Sequence, residues 1–371
     1  MIYLDHNATT PVHPAVVEAM LPFLRAHWGN PSSSHAAGRA ARRGVQRARA
    51  QVAALIGTDP EHIVFTSGGT ESDNLAVRGV HAARGGRIVT SPFEHPAVAQ
   101  PVAYLERHGT PVTRLRADED GRVEVPSALP DDTTLLSVIL AHNETGVVQP
   151  LGELALRARA VEATVHTDAA QAIGKIAVNV DELEVDLLTI AGHKVYAPKG
   201  VGALYVRPGT PIEPLVRGAN HEHGLRPGTE NVPSIVGLGV ACQLAADHLA
   251  FEQQRMERLR EQLWAGLSAG VPGLRRTGRG CATLPNTLHV RFPGVLGEAL
   301  LARCPHLAAS TGSACHSGEH HPSASLLAMG LAPDDALGAV RLSLGSATSE
   351  ADVRGATEQL LAAWEALGAA G

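Results

Sequence analysis

Lysine is nearly absent from this chain. Of its 31 Lys and Arg residues only three are lysines, Lys175, Lys194 and Lys199. In a sequence rich in Ala, Gly, Arg and Pro, arginine has taken over wherever charge alone matters. Arginine is too weak a nucleophile and base for Schiff-base chemistry, so each remaining lysine is a candidate for a position that needs an amine. Other absences exclude whole classes of function. The formal net charge is −6 and the arginines are scattered rather than striped, which gives no basis for nucleic-acid binding. No apolar run approaches the length of a membrane span. The opening residues, Met1-Ile2-Tyr3-Leu4-Asp5-His6, lack the basic and apolar regions of a secretion signal, so a cytoplasmic location is expected. The four cysteines, Cys242, Cys281, Cys304 and Cys315, are widely spaced with no C-x-x-C, which fits a reduced protein with one functional thiol better than a disulfide framework. There is no internal repeat, low-complexity tract or long linker.

What is present reads as an α/β enzyme. With 371 residues, 44% hydrophobic and 18% charged, the chain can bury one large domain and a smaller one. Short apolar, β-branched runs alternate with helical ones, at His62–Ser67, Arg87–Ser91, Thr134–Ala141, Thr164–Asp168, Asp186–Ala191 and Gly202–Val206. That alternation predicts a mostly parallel sheet with helices on both faces, and ligands in such sheets gather at the carboxyl ends of the strands. A long helix from Gly237 to about Leu267 carries the chain away from this sheet. Beyond it, strands at Asn286–Arg291 and Ala339–Leu344 and a helix over Val353–Leu367 predict a small α+β domain. The expected division is a large domain over residues 15–255, and a small one made of residues 1–14 and 256–371.

Three segments carry chemistry. Leu187-Leu188-Thr189-Ile190-Ala191-Gly192-His193-Lys194 reads as a buried strand entering a glycine turn, which places Lys194 at a strand end; Lys175 and Lys199 read as surface-loop residues. Thr66-Ser67-Gly68-Gly69-Thr70-Glu71-Ser72 follows a strand and opens a helix, a cup for an anion. It is neither a P-loop nor a dinucleotide fingerprint, because Gly-Lys-Ser/Thr and G-x-G-x-x-G are both missing. Val165-His166-Thr167-Asp168 sets a carboxylate at a strand end, where it can keep a pyridine nitrogen protonated. Cup, Asp168 and Lys194, in that order, describe a pyridoxal-phosphate site. A fourth segment, from Ala309 through Cys315-His316-Ser317-Gly318-Glu319-His320-His321 to Pro322, reads as an exposed loop. A cysteine there beside His316 can be partly thiolate. An incidental thiol, or a metal site of Cys315, His316, His320 and His321, are the competing readings. His221 and His223 read as a loop near the active site rather than as metal ligands.

With these segments in hand, the chain resembles the class V branch of fold-type I pyridoxal-phosphate enzymes, specifically the cysteine desulfurases and the related selenocysteine lyases. The likeness runs nearly end to end. It is carried by Leu4-Asp5-His6-Asn7-Ala8-Thr9-Thr10-Pro11, Gly29-Asn30-Pro31-Ser32-Ser33, the cup, Glu94-His95, Asn143-Glu144-Thr145-Gly146, the Asp168 and Lys194 segments, Arg226-Pro227-Gly228-Thr229-Glu230-Asn231 and Gly312-Ser313-Ala314-Cys315. The resemblance implies that Lys194 forms the Schiff base with the cofactor and that Asp168 pairs with the ring nitrogen. It implies that Gln171 reaches the ring oxygen, and that His95 stacks on the ring and shuttles protons. Gly69, Thr70 and His193 would hold the phosphate, and Thr229 would reach the phosphate of a neighbouring subunit in a homodimer. Asn143 would sit beside the substrate carboxylate and the cofactor ring, and Arg341 would grip that carboxylate. Cys315 would take sulfur from L-cysteine as a persulfide and pass it to acceptor proteins such as an iron–sulfur scaffold, or to thio-cofactor or tRNA biosynthesis. Ala191 departs from the pattern, standing where many desulfurases have a serine that donates to the phosphate. One hydrogen bond, about 1 kcal/mol net, is then missing. The alternative activities are a selenocysteine lyase acting on L-selenocysteine, a class V aminotransferase, and a catalytically silent scaffold.

Overall fold

The computed structural model describes residues 1–311 and 321–368. Twelve strands are present among them: β1 Ile2–Tyr3, β2 Ile63–Thr66, β3 Arg87–Thr90, β4 Val112–Arg114, β5 Thr133–Ser137, β6 Thr164–Asp168, β7 Leu187–Ala191, β8 Gly202–Val206, β9 Arg275–Arg276, β10 Thr287–Arg291, β11 Leu307–Ala308 and β12 Ala339–Ser343. The helices are α1 Pro14–Arg25, α2 Ala36–Ile56, α3 Gly69–Arg84, α4 Pro96–Arg107, α5 Leu151–Arg159, α6 Val232–Gly270, α7 Gly297–Ala302, α8 Ala324–Ala328, α9 Pro333–Leu337 and α10 Glu350–Gly368.

Seven strands form one sheet in the order β2-β8-β7-β6-β5-β3-β4. All its neighbours are parallel except those of β8, which runs against both β2 and β7. Every residue of β2, β6 and β7 is buried, as the near-continuous apolar runs require of a sheet covered on both faces. On one face Leu75, Val77 and Val80 of α3, with Val98 and Val102 of α4, pack on Val64, Ile88, Leu135 and Leu187. On the other, residues of α1, α2, α5 and α6 pack on Ile63, Val89, Leu136, Val165 and Leu188. This is the expected fold-type I α/β architecture. The short edge strand β4 was not anticipated, and the run Thr134–Ala141 is strand only as far as Ser137.

A second hydrophobic cluster joins Leu288 and Val290 of β10, Val340 and Leu342 of β12, Leu259, Leu263 and Leu267 of α6, and Val353 and Leu360 of α10. Its antiparallel sheet has the order β12-β10-β9. Helix α6 supplies both clusters, with Ile235, Leu238 and Ala241 in the first. In one respect the chain departs from the sequence expectation. α6 does contain an 18-residue window of mean hydropathy 1.4, long and apolar enough to cross a membrane. The apolar character serves packing at its ends, where it lies against α1, α2 and α10.

The N-terminal segment ties the two parts together. β1 pairs in parallel with β11, and Asp5 bridges to Ser343 at the end of β12. From there the chain crosses to the large sheet, where Thr10 N donates to His193 O at 3.0 Å.

Candidate active site

Five strands of the large sheet, β2, β3, β5, β6 and β7, run in the same direction. Their carboxyl ends therefore open on one edge, where a doubly wound sheet places its ligand. β2 leads through Ser67 and Gly68 into α3, β3 leads to His95 at the start of α4, and β5 continues to Ile139 and Asn143. β6 ends on Asp168, and β7 runs into a tight 3₁₀ turn, Gly192–Lys194. The outcome is a cavity of about 400 Å³, within the range of small-molecule sites. Gly69, Thr70, His95, Asn143, Asp168, Gln171, His193, Lys194 and Arg341 all line it, together with Ala191.

The cup is built by backbone. Gly68 caps α3 with φ 148° and ψ −178°, and no side chain satisfies the first N–H groups of the helix. Gly202 on β8 must lack a side chain, because a Cβ there would lie 2.7 Å from the Gly68 Cα and 2.6 Å from the Ile190 carbonyl oxygen. An uncapped helix N-terminus opening on a cavity favours an anion.

The Lys194 amine donates to the carbonyl oxygens of Asn7 at 2.6 Å and Ala8 at 2.8 Å. Burial, then the charge of Arg341, push its pKa down to about 8, while Asp168 and Asp5 pull the other way. Asp168 is buried and accepts from Ala170 N at 2.9 Å. Burial raises its pKa; the Ala170 N–H and the charges of His95 and Lys194 oppose that rise. Among the described residues neither Lys194 nor Asp168 forms a salt bridge. His95 Nδ1 accepts from Ala97 N at 3.1 Å, so the neutral ring carries its proton on Nε2. Burial lowers the pKa of His95, and lowers that of His193 to about 4 with Lys194 assisting. His193 Nδ1 pairs with Thr9 Oγ1 at 3.1 Å.

Arg341 lies on β12 between Val340 and Leu342, whose side chains enter the second core. Strand alternation turns the guanidinium toward the cavity. One nitrogen meets Asp5 at 2.7 Å, another donates to Asn143 O at 3.0 Å, and Nε is buried without a partner. Thr229 is exposed and does not line the cavity, and Cys315 lies outside the described residues, as do His316 and His320. His221 and His223 do not line the cavity either. Between them Glu222 is buried, taking Arg49 at 2.7 and 2.5 Å and Phe65 N at 2.8 Å.

Sequence reading missed three features. Asn7 is a hub: its amide nitrogen donates to Thr287 Oγ1 at 2.9 Å and Asn143 O at 3.2 Å, and its N–H donates to Ser343 Oγ at 3.0 Å. Its only signal was a polar run, Asp5-His6-Asn7, at the start of the chain. Asp73 and Glu94 form a buried carboxyl group cluster with Asp168. Burial pushes Glu94 up to about 8 and Asp73 well above the usual range, with the Asp168 charge adding to both. Finally, Lys175 is not a surface residue. It is buried, its amine donating to Gln171 Oε1 at 2.7 Å and Asn7 Oδ1 at 3.3 Å, whereas Lys199 is exposed as expected.

These residues fit pyridoxal phosphate. The uncapped end of α3 suits the phosphate, and Asp168 lacks a cationic partner that a pyridinium would supply. The Lys194 amine, held among the described residues by two carbonyls, can exchange them for a carbonyl carbon. Comparison with known proteins agrees. A family model for class-V aminotransferases matches residues 2–355. A cysteine desulfurase of Gluconacetobacter diazotrophicus is 46% identical over 361 residues, 95% of this chain and 90% of that protein. The solved structure of a NifS-like protein superposes with a TM-score of 0.91 at 36% identity, covering 99% of both chains. A structure described as SspA in complex with cysteine superposes at 0.82, with 34% identity over 93% of this chain and 99% of that one. The chain belongs to the class-V aminotransferase family and, within it, to the pyridoxal-phosphate-dependent cysteine desulfurases.

Proposed function

We propose that the chain moves sulfur from L-cysteine onto the Cys315 thiol, leaving L-alanine and a protein persulfide. The observation that carries this reading is the single cavity that gathers Lys194, Asp168, the α3 cup and Arg341. Pyridoxal phosphate, when bound, supplies the electron sink for a carbanion at the substrate Cα. Gly69, Thr70 and His193 would hold its phosphate, Asp168 its ring nitrogen and Gln171 its ring oxygen.

The remaining work belongs to side chains. The planar fork of Arg341, beside Asn143, takes the substrate carboxylate. The Lys194 amine, with its pKa near 8, has a neutral fraction at physiological pH that can accept the Cα proton and return it. His95, with its proton on Nε2 facing the cavity, hands a proton to or from the thiol. The Cys315 thiolate attacks the substrate sulfur. The S–S bond forms as the C–S bond breaks, the electron pair returns to carbon, and a proton completes the methyl group of alanine. The two sulfurs each lose one electron and the Cβ carbon gains two, so no outside oxidant is required.

The cysteine held by the SspA structure supports cysteine over selenocysteine as the substrate. The reading extends to a cytoplasmic homodimer in which the exposed Thr229 completes the phosphate site of its partner, and to protein acceptors of sulfur such as an iron–sulfur scaffold. The test is a persulfide-trapping assay on holoenzyme supplied with L-cysteine, read alongside alanine release. Cys315→Ala should form no persulfide and little alanine, while its bound cofactor still changes colour on adding cysteine. Alanine release near the wild-type rate in that variant would sink the proposal.

A further inference from the structure

Among the described residues, Lys175 is the one buried cation near the cavity that the reaction above does not use. It follows Gln171 by one helical-type turn, and its amine donates to Gln171 Oε1 at 2.7 Å and Asn7 Oδ1 at 3.3 Å. An ammonium can only donate and a backbone carbonyl can only accept. The Gln171 amide therefore has one orientation: oxygen toward Lys175, nitrogen toward Asn7 O, which it meets at 2.9 Å. The same Asn7 carbonyl receives the Lys194 amine at 2.6 Å, and Asn7 Oδ1 is also held by Asn286 Nδ2 at 3.1 Å. Lys175, Gln171, Asn7 and Lys194 thus form one connected network, of which Gln171, Asn7 and Lys194 line the cavity while Lys175 lines a neighbouring one.

We propose that Lys175 is a positioning residue that locks the Gln171 amide with its N–H groups toward the cavity and, through Asn7, fixes where the free Lys194 amine rests. The inference rests on reading this cavity as the cofactor site. Without Lys175 the amide keeps only the Asn7 carbonyl to hold its nitrogen, and its oxygen loses its donor. The energetic argument points the same way. A buried ammonium without a carboxylate partner lowers stability, and among the described residues Lys175 has no salt bridge. Burial, then the charges of Lys194 and Arg341, drive its pKa well below the usual lysine range. A costly group kept inside the fold at a site edge is the pattern of a residue retained for function.

Lys175→Met tests this, since Lys175 lines one cavity with Ile173, Leu244 and Met256, apolar neighbours for an apolar chain. Two quantities are read: cofactor dissociation from the holoenzyme by equilibrium dialysis, and the thermal midpoint of the cofactor-free protein. Dissociation should rise about tenfold, the size usual for a supporting contact behind a binding group, with no fall in midpoint. In a Gln171→Leu background, Lys175→Met should add nothing further. Cofactor retention at wild-type strength, an additive double variant, or a lowered midpoint would each overturn the proposal. Should Lys175→Met fail to fold, Gln171→Glu decides: it keeps the acceptor for Lys175 and puts an acceptor-only carboxylate oxygen in place of the N–H groups, so dissociation must rise, and unchanged binding refutes the inference. Borohydride reduction of the holoenzyme separates this from the reading beneath it. A label on a lysine other than Lys194 overturns the site itself; a label on Lys194 with unaltered retention in Lys175→Met overturns only the role of Lys175.

Discussion

The two sheets contribute to the cavity by different means. The seven-stranded sheet works from its ends: the loops after β2, β3, β5, β6 and β7 supply the cup, His95, Asn143, Asp168 and Lys194. The three-stranded sheet works from its side, sending Arg341 out of the middle of a fully buried strand. On the function proposed above, the first arrangement would hold the cofactor by its phosphate, ring and carbonyl carbon. The second would reach in from across the gap to hold what arrives later. The seven-stranded sheet would then govern cofactor chemistry, and the three-stranded sheet which substrate is gripped.

That division can be broken at three places. The largest effect is expected at Lys194→Ala, which should cut turnover by ~10³-fold or more, since both proton transfer and cofactor anchoring are lost. Circular dichroism should be unchanged, and residual activity within tenfold of wild type would deny the amine its role. Next is Arg341→Ala. Losing charged hydrogen bonds to a carboxylate should raise the KM for cysteine about 10- to 100-fold. Cofactor retention should stay near wild type; if retention falls while KM holds, the two sheets do not divide the work as described. The smallest effect sharpens the electrostatics of the large sheet. Glu94 sits well above its ordinary 4.5, at about 8, so the folded chain keeps a proton the unfolded chain has already lost. Its stabilising contribution is complete below about pH 4.5 and drains away as pH rises through 8. Glu94→Gln should therefore gain more stability over wild type at pH 8.5 than at pH 5 in urea denaturation. An equal difference at both values would show that Glu94 is ionised in the fold.

Much of this was legible in the sequence for a physical reason. Strand-end residues such as Asp168 and Lys194 are announced by the apolar run before them, and Gly68-Gly69 by their freedom to form a tight turn. Lys175 was misread because its burial depends on Asn7, 168 positions away, and no local pattern reports such a partner. Arg341 could be assigned only by resemblance, since an arginine inside an apolar strand does not say which face it takes. The apolar window of α6 was overlooked because its charges crowd into the middle of the helix, between two segments that pack on separate cores. Glu222 and Asp73 gave no signal at all: an acid's burial is decided by what folds over it.

The hub at Asn7 also sets an order of events during synthesis. Asn7 is among the first residues made, yet its partner Ser343 lies 336 positions downstream. At about 5–20 residues per second, the wait is on the order of tens of seconds. The large sheet can pair completely once Val206 is made, but Thr287, Asn286 and Ser343 have not yet arrived to hold Asn7 in place. Through that interval Asn7 can already meet Gln171, Asn143 and Lys194, but half of its hub is missing. A product cut short before Ser343 would carry Lys194 with its seat at Asn7 only partly built.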